Sequence, residues 1–189
     1  MGKLRVIGGK ARGLLLKTVP GDTTRPITDI VKEALFNILG DEVQDNRVLD
    51  LFGGTGAVGI EALSRGAKFA HFLDKGQAAV NTIQANIKHT RFDDQAKVLR
   101  ADAFSWLAAP HSESFDLIYV APPQYKEMWQ RAMRLLDEQP QLLSPQGQII
   151  VQINPIEWTD EAYTHFAEFD RRKYGDTLLV FFEHKNPES

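Results

Sequence analysis

Leu49-Asp50-Leu51-Phe52-Gly53-Gly54-Thr55-Gly56-Ala57-Val58-Gly59 is the stretch on which the fold turns. Arg47–Phe52 has the apolar density of a buried strand, and Ala57–Arg65 carries a helical pattern stopped by Gly66. Between them Gly54, Gly56 and Gly59 satisfy G-x-G-x-x-G. A strand that leaves through a glycine turn into a helix is the opening unit of a nucleotide-binding α/β sheet. Ligands in such sheets sit outside the carboxyl ends of the strands, so the residues that end the neighbouring strands become the next question.

Strand and helix alternate outward from this unit. Lys68–Leu73, Lys97–Arg100, Asp116–Val120 and Gln148–Ile153 read as strands, the last after a Ser144-Pro145-Gln146-Gly147 turn. Helices are expected over Gln77–His89, Ala103–Leu107 and Lys126–Asp137. Ala167–Tyr174 and Thr177–His184, around Gly175-Asp176, read as an antiparallel hairpin. Ahead of the core, Leu4–Ile7 and Gly13–Leu16 suggest a basic hairpin, and Thr28 or Asp29 caps a helix that runs to Gly40. The fold class is α/β, a doubly wound, mostly parallel sheet with a basic N-terminal β-hairpin extension. With no linker or low-complexity tract, residues 1–189 are expected to form one domain, 1–40 as the extension and 41–189 as the core.

Three acids end successive strands. Asp50 closes the first, Asp74 lies 20 residues beyond Gly54, and Asp102 follows the next strand. Asp74 suits a ribose diol and Asp102 an adenine amino group. On spacing alone the loop fits a dinucleotide enzyme. A carboxylate at Asp50, however, would repel a pyrophosphate laid against this loop and attract an ammonium or sulfonium. The electrostatics favour S-adenosyl-L-methionine (SAM), held by Asp50, Phe52, Gly53, Gly54, Thr55, Gly56, Asp74, Asp102 and Ala103.

Composition narrows the chemistry. The 189 residues hold no cysteine, which excludes disulfides, thiolate zinc and methylation through a thiol adduct. The five histidines lack metal-pair spacing, so no metal is expected. No apolar run reaches the ~18–20 residues that span a bilayer, and no signal peptide is apparent, so the expected location is cytoplasmic, without membrane association. The net charge of −3 is unevenly spread: residues 1–40 hold seven basic and three acidic side chains, a balance of +4 that leaves −7 elsewhere. The first 17 residues carry no acid at all, a signal of an anionic partner.

The chain resembles the bacterial 16S ribosomal RNA guanine-N2 methyltransferases (RsmD-type). The matching blocks are Arg5-Val6-Ile7-Gly8-Gly9 with Arg12-Gly13, Arg25-Pro26-Ile27-Thr28-Asp29, residues 31–37, Leu49 to Gly56, and Gly59-Ile60-Glu61-Ala62-Leu63-Ser64-Arg65-Gly66-Ala67. The resemblance implies a seven-stranded methyltransferase sheet, SAM as cofactor, and 16S rRNA of the small ribosomal subunit, or its assembly intermediate, as partner. It implies methylation of one guanine N2, of the guanine-966 type; nothing in the sequence demands a dimer, so a monomer is expected. Arg5, Lys10 and Arg12 would then contact RNA phosphate, with Arg25 and Thr28 closing over cofactor and target. One departure stands at the catalytic loop: the family's Asp-Pro-Pro-aromatic is here Ala121-Pro122-Pro123-Gln124-Tyr125. Pro122 and Pro123 would aim a backbone carbonyl at the amine, Gln124 would take the missing acid's part, and Tyr125, or Trp129, would stack on the base. Methylation of DNA adenine or protein glutamine, a non-catalytic SAM- or RNA-binding assembly factor, and an NAD enzyme are the rival readings.

Overall fold

The computed structural model describes residues 3–21, 26–124 and 126–186. The described elements are α1 (Asp29–Leu39), β1 (Arg47–Asp50), α2 (Ala57–Ser64), β2 (Phe69–Asp74), α3 (Gln77–Thr90) and β3 (Ala96–Arg100). They continue with α4 (Ala103–Ala108), β4 (Phe115–Val120), α5 (Met128–Glu138), β5 (Leu143–Ile153), β6 (Phe166–Tyr174) and β7 (Thr177–His184). The seven strands lie in the order β3-β2-β1-β4-β5-β7-β6, parallel except for β7, which is antiparallel to both β5 and β6. This is the expected Rossmann-like methyltransferase sheet, with the terminal hairpin folded so that its second strand joins β5.

Side-chain alternation sorts the strands onto two faces. Val48, Phe72, Tyr119, Ile150 and Leu179 pack with α1, α2 and α3, while Leu49, Leu73, Val120, Val151 and Val180 pack with α4 and α5. Burial on both faces explains why these strands read as continuous apolar runs. Leu4, Val6, Ala11 and Leu16 of the N-terminal extension belong to the first of these clusters. The extension therefore shares a core with the sheet.

Two expectations change. The N-terminal hairpin closes through backbone bonds from Val6 N–H to Leu14 and from Leu16 N–H to Leu4, but forms only the single bridge Arg5–Leu15, not two strands. Ser144–Gly147 is not a turn that precedes a strand. It lies within β5 as an irregular bulge, where Phe115 faces Leu143 and Leu117 faces Gln148. The Ser144 hydroxyl donates to Asp116 at 2.7 Å and ties the bulge to β4. Among the described residues no helix is long and apolar enough to cross a membrane, and no cluster of acids and histidines could hold a metal.

Candidate active site

Strand order reverses between β1 and β4, and the chain leaves both strands at the same edge. Asp50 is paired with Tyr119 across this switch point, and the Leu51 N–H donates to the Tyr119 carbonyl at 3.1 Å. The glycine loop and the Ala121–Gln124 segment thus depart side by side, the crevice that sheets of this type use for ligands.

Asp50 does not line that crevice as its position in the sequence suggests. It is 1% exposed, beneath the loop, and the nearby backbone amides of Phe52 and Gly59 favour its charged form. Its Oδ1 has no hydrogen-bond partner among the described residues. Burial, reinforced by the charge of Asp74, pushes its carboxyl up to about 7. The site therefore contains an under-satisfied acid whose ionised form a bound cation would stabilise. Asp74 accepts Gly54 N–H at 3.0 Å and Gly76 N–H at 2.8 Å, one amide on each oxygen. Carboxylate oxygens have further lone pairs, so Asp74 can hold the loop and still accept from a diol.

The glycines divide their tasks. A Cβ on Gly59 would stand 2.3 Å from the Phe72 ring, so this glycine lets α2 lie against β2. Gly54, at φ +56°, would place a Cβ in open space, so a ligand can approach its backbone closely. Gly53 and Gly56 are buried, Phe52 and Thr55 half-buried. Asp102 caps α4, accepting Ser105 N–H at 2.9 Å, a bond that lowers its pKa; the residue is otherwise exposed, and Ala103 beneath it is buried. An apolar-walled edge with an unpaired buried acid, an open glycine and two further carboxylates fits a cationic nucleoside better than a pyrophosphate.

On the β4 side, Ala121 is half-buried against the first cluster, Pro122 is buried and Pro123 half-buried. Gln124 is exposed and makes no hydrogen bond with the described residues. Tyr125 and Arg25 lie outside the described residues. Trp129 is buried, stacked on Trp158 at 5.3 Å between ring centroids, so it serves the α5 core and not a base.

The N-terminal extension is sewn to the helix that follows the glycine loop. Glu61 of α2, fully buried, accepts Ile7 N–H at 2.9 Å, Gly8 N–H at 2.8 Å and the Arg65 Nε–H at 2.9 Å. Lys32 of α1, also buried, lies 3.4 Å from Glu61 and donates to the Arg5 carbonyl. Burial lowers the Lys32 pKa and Glu61 opposes the shift. Asn86 of α3 donates to the Lys17 carbonyl at 3.0 Å and the Thr55 carbonyl at 2.9 Å, joining extension and glycine loop through one amide. Sequence reasoning passed over Glu61, Lys32 and Asn86. Of the residues expected at RNA, Lys10 and Arg12 are exposed without an ion pair among the described residues. Arg5 is instead paired with Asp29 at 2.9 Å, and Thr28 caps α1 by accepting Val31 N–H at 3.3 Å.

A family profile described as "Conserved hypothetical protein 95" matches residues 4–183. The chain belongs to that family. Its membership bears out the RsmD-type resemblance carried by the blocks from Arg5 to Ala67. The Bacillus subtilis "Putative rRNA methyltransferase YlbH" is 41% identical, covering 95% of this chain and 98% of its own. "Ribosomal RNA small subunit methyltransferase D" of Haemophilus influenzae is 33% identical, over 84% of this chain and 86% of its own. Among solved structures, "Putative methyltransferase yhhF" from Escherichia coli superposes with a TM-score of 0.86 at 28% identity, covering 97% and 99% of the two chains. A family shared along almost the whole chain extends to the N-terminal extension as well as the sheet.

Proposed function

We propose that this RsmD-family chain transfers a methyl group from SAM to the exocyclic N2 of a guanine in 16S rRNA of the small ribosomal subunit. The observation that carries the reading is the crevice at the β1/β4 switch point: the open Gly54 backbone on one wall, with an under-satisfied Asp50 buried beneath it, and Pro122-Pro123 on the other. The relatives named as rRNA methyltransferases favour RNA over DNA or protein as the substrate.

SAM, when bound, supplies a methyl carbon activated by sulfonium. The residues of this chain then have three tasks. Asp50, beneath Phe52 and Gly59, keeps the loop shaped and adds a negative field for the cation. Asp74 and Asp102 offer oxygens to ribose and adenine, while Gly53, Thr55, Gly56 and Ala103 shape the wall. Beyond β4, the chain must hold the guanine amine in line and accept its N–H hydrogens as positive charge develops on nitrogen. The carbonyls of the Ala121–Pro122 stretch and the Gln124 side chain, which follow β4, are the candidate acceptors, and Tyr125 is the stacking candidate. Guanine N2 is a poor nucleophile, so orientation and acceptors count for more than a strong base. Lys10 and Arg12 lead the phosphate contacts, and Arg5 and Arg25 are the further basic candidates.

Purified protein, radiolabelled SAM and undermethylated small subunits test the reading. Label in 16S rRNA is the expected result. SAM binding without label would leave the assembly-factor reading, which Ala121 favours, in its place. Binding of NAD in preference to SAM, read as a thermal shift, would overturn the cofactor assignment.

A further inference from the structure

Ala121 leaves the target amine without the acid that the family pattern provides, and the sheet places a different polar group beside that gap. Val120 of β4 is in register with Val151 of β5. The next step along both strands brings Ala121 alongside Gln152. Val151 and Ile153 face α5, so Gln152 points to the opposite face, the one shared by Tyr119, Asp50 and the Ala121 methyl. Gln152 is half-buried between Leu179 of β7 and the start of the Ala121–Gln124 segment.

Tyr119 fixes which end of that amide faces where. Its buried hydroxyl donates to Gln152 Oε1. Burial and the nearby Asp50 push the phenol well above its usual range, so it remains a donor at any working pH. An amide oxygen has two lone pairs, and one stays free. The Gln152 Nε2 has no partner among the described residues. An acceptor next to a donor complements the N2–H and N3 pair on guanine's sugar edge; adenine has no amine there. Gln124 differs in being exposed and unheld, so using it would require a free side chain to be ordered, at a cost in rotamer entropy.

We propose that Gln152, oriented by the Tyr119 hydroxyl, supplies the hydrogen-bond acceptor for the target guanine amine that Ala121 does not provide. Gln152 would contact the substrate; Tyr119 acts through it as a positioning residue. The proposal rests on the methyltransferase reading above.

Single-turnover methyl transfer to undermethylated small subunits at saturating SAM tests it, with SAM affinity and the melting temperature measured in parallel. Gln152→Ala is expected to slow transfer about 100-fold, the usual loss for one transition-state hydrogen bond, with SAM affinity within twofold of wild type. Adding Ala121→Asp to Gln152→Ala should restore at least tenfold, because a carboxylate then stands beside the vacated position. Tyr119→Phe should slow transfer about tenfold and be rescued by the same second change, which a purely structural tyrosine would not be. If Gln152→Ala melts early, Gln152→Asn, which keeps an amide one methylene shorter, replaces it with the same expected loss. Transfer within threefold of wild type in the Gln152 variant, or a loss that Ala121→Asp does not recover, overturns the proposal. A wild-type protein that labels no rRNA defeats the methyltransferase reading and this inference together, whereas an active wild type indifferent to Gln152 defeats this inference alone.

Discussion

At the ends of β1, β2 and β3 each acid is fixed in place: Asp50 by burial beneath the glycine loop, Asp74 by the amides of Gly54 and Gly76, Asp102 by that of Ser105. Beyond β4 the chain presents an alanine, two prolines and an exposed glutamine, and the polar group with a fixed orientation, Gln152, comes from β5. One wall of the crevice is thus set before any ligand arrives, while the other carries Ala121 where the resemblance implies an aspartate, at the position proposed to face the target amine. The contrast implies that cofactor binding and target recognition can be damaged separately, and that changes in the catalytic loop are tolerable where a neighbouring strand offers a substitute acceptor.

The largest effect is expected where the extension is fastened. Glu61→Ala would strand the Lys32 charge in the core and free the Ile7 and Gly8 amides, costing about 3–5 kcal/mol. For a chain of this size that is a fall in melting temperature on the order of 10 °C. A fall of one or two degrees would mean that the extension is not held as described. Asp74→Ala comes next: two amides lose an anionic acceptor, and SAM affinity measured by calorimetry should drop about 100-fold while RNA affinity is unchanged. A parallel loss of RNA affinity would erase the separation of the two walls.

Asp50 supplies a pH test. Its folded carboxyl is raised from 3.8 to about 7, so its contribution to stability is complete below pH 4 and is lost as pH rises to 7 and beyond. Asp50→Asn should therefore melt higher than wild type at pH 8, with the advantage fading toward pH 5. His71, buried and lowered to about 4 chiefly by desolvation, acts in the opposite sense, losing stability as pH falls from 6.5 toward 4. The two oppose each other between about pH 4 and 6.5, so Asp50→Asn should show a steeper rise of stability with pH there than the parent. Because a bound cation favours the ionised acid, SAM affinity of the wild type should also rise as pH passes through 7. The smallest effect belongs to the surface: Lys10→Ala or Arg12→Ala should reduce the slope of log affinity against log salt for RNA by about 0.7–0.9 each, without altering SAM binding.

Local signals carried much of this arrangement into the sequence. Gly54, Gly56 and Gly59 after an apolar strand, with Asp74 and Asp102 ending the next two, located the crevice because strand, turn and helix are consecutive there. Glu61, Lys32 and Asn86 escaped notice because a polar residue within a helix looks solvated until its partners, 27 to 69 residues away, are known. Gln152 was missed for the same reason: in β5 alone it is an ordinary outward polar position, and only the register with β4 sets it beside Ala121. Ser144–Gly147 has turn chemistry but is retained in β5 by Asp116, a contact across strands. Asp50 was placed correctly at the strand end, but its burial follows from the fold of the loop above it.

The central claim is that the crevice methylates a guanine amine. Small subunits from a strain lacking this methylation, incubated with the protein and methyl-labelled SAM and then digested to nucleosides for mass spectrometry, measure it directly. The account predicts label in N2-methylguanosine from 16S rRNA; label in methyladenosine or in protein, or SAM bound with no label transferred, would contradict it.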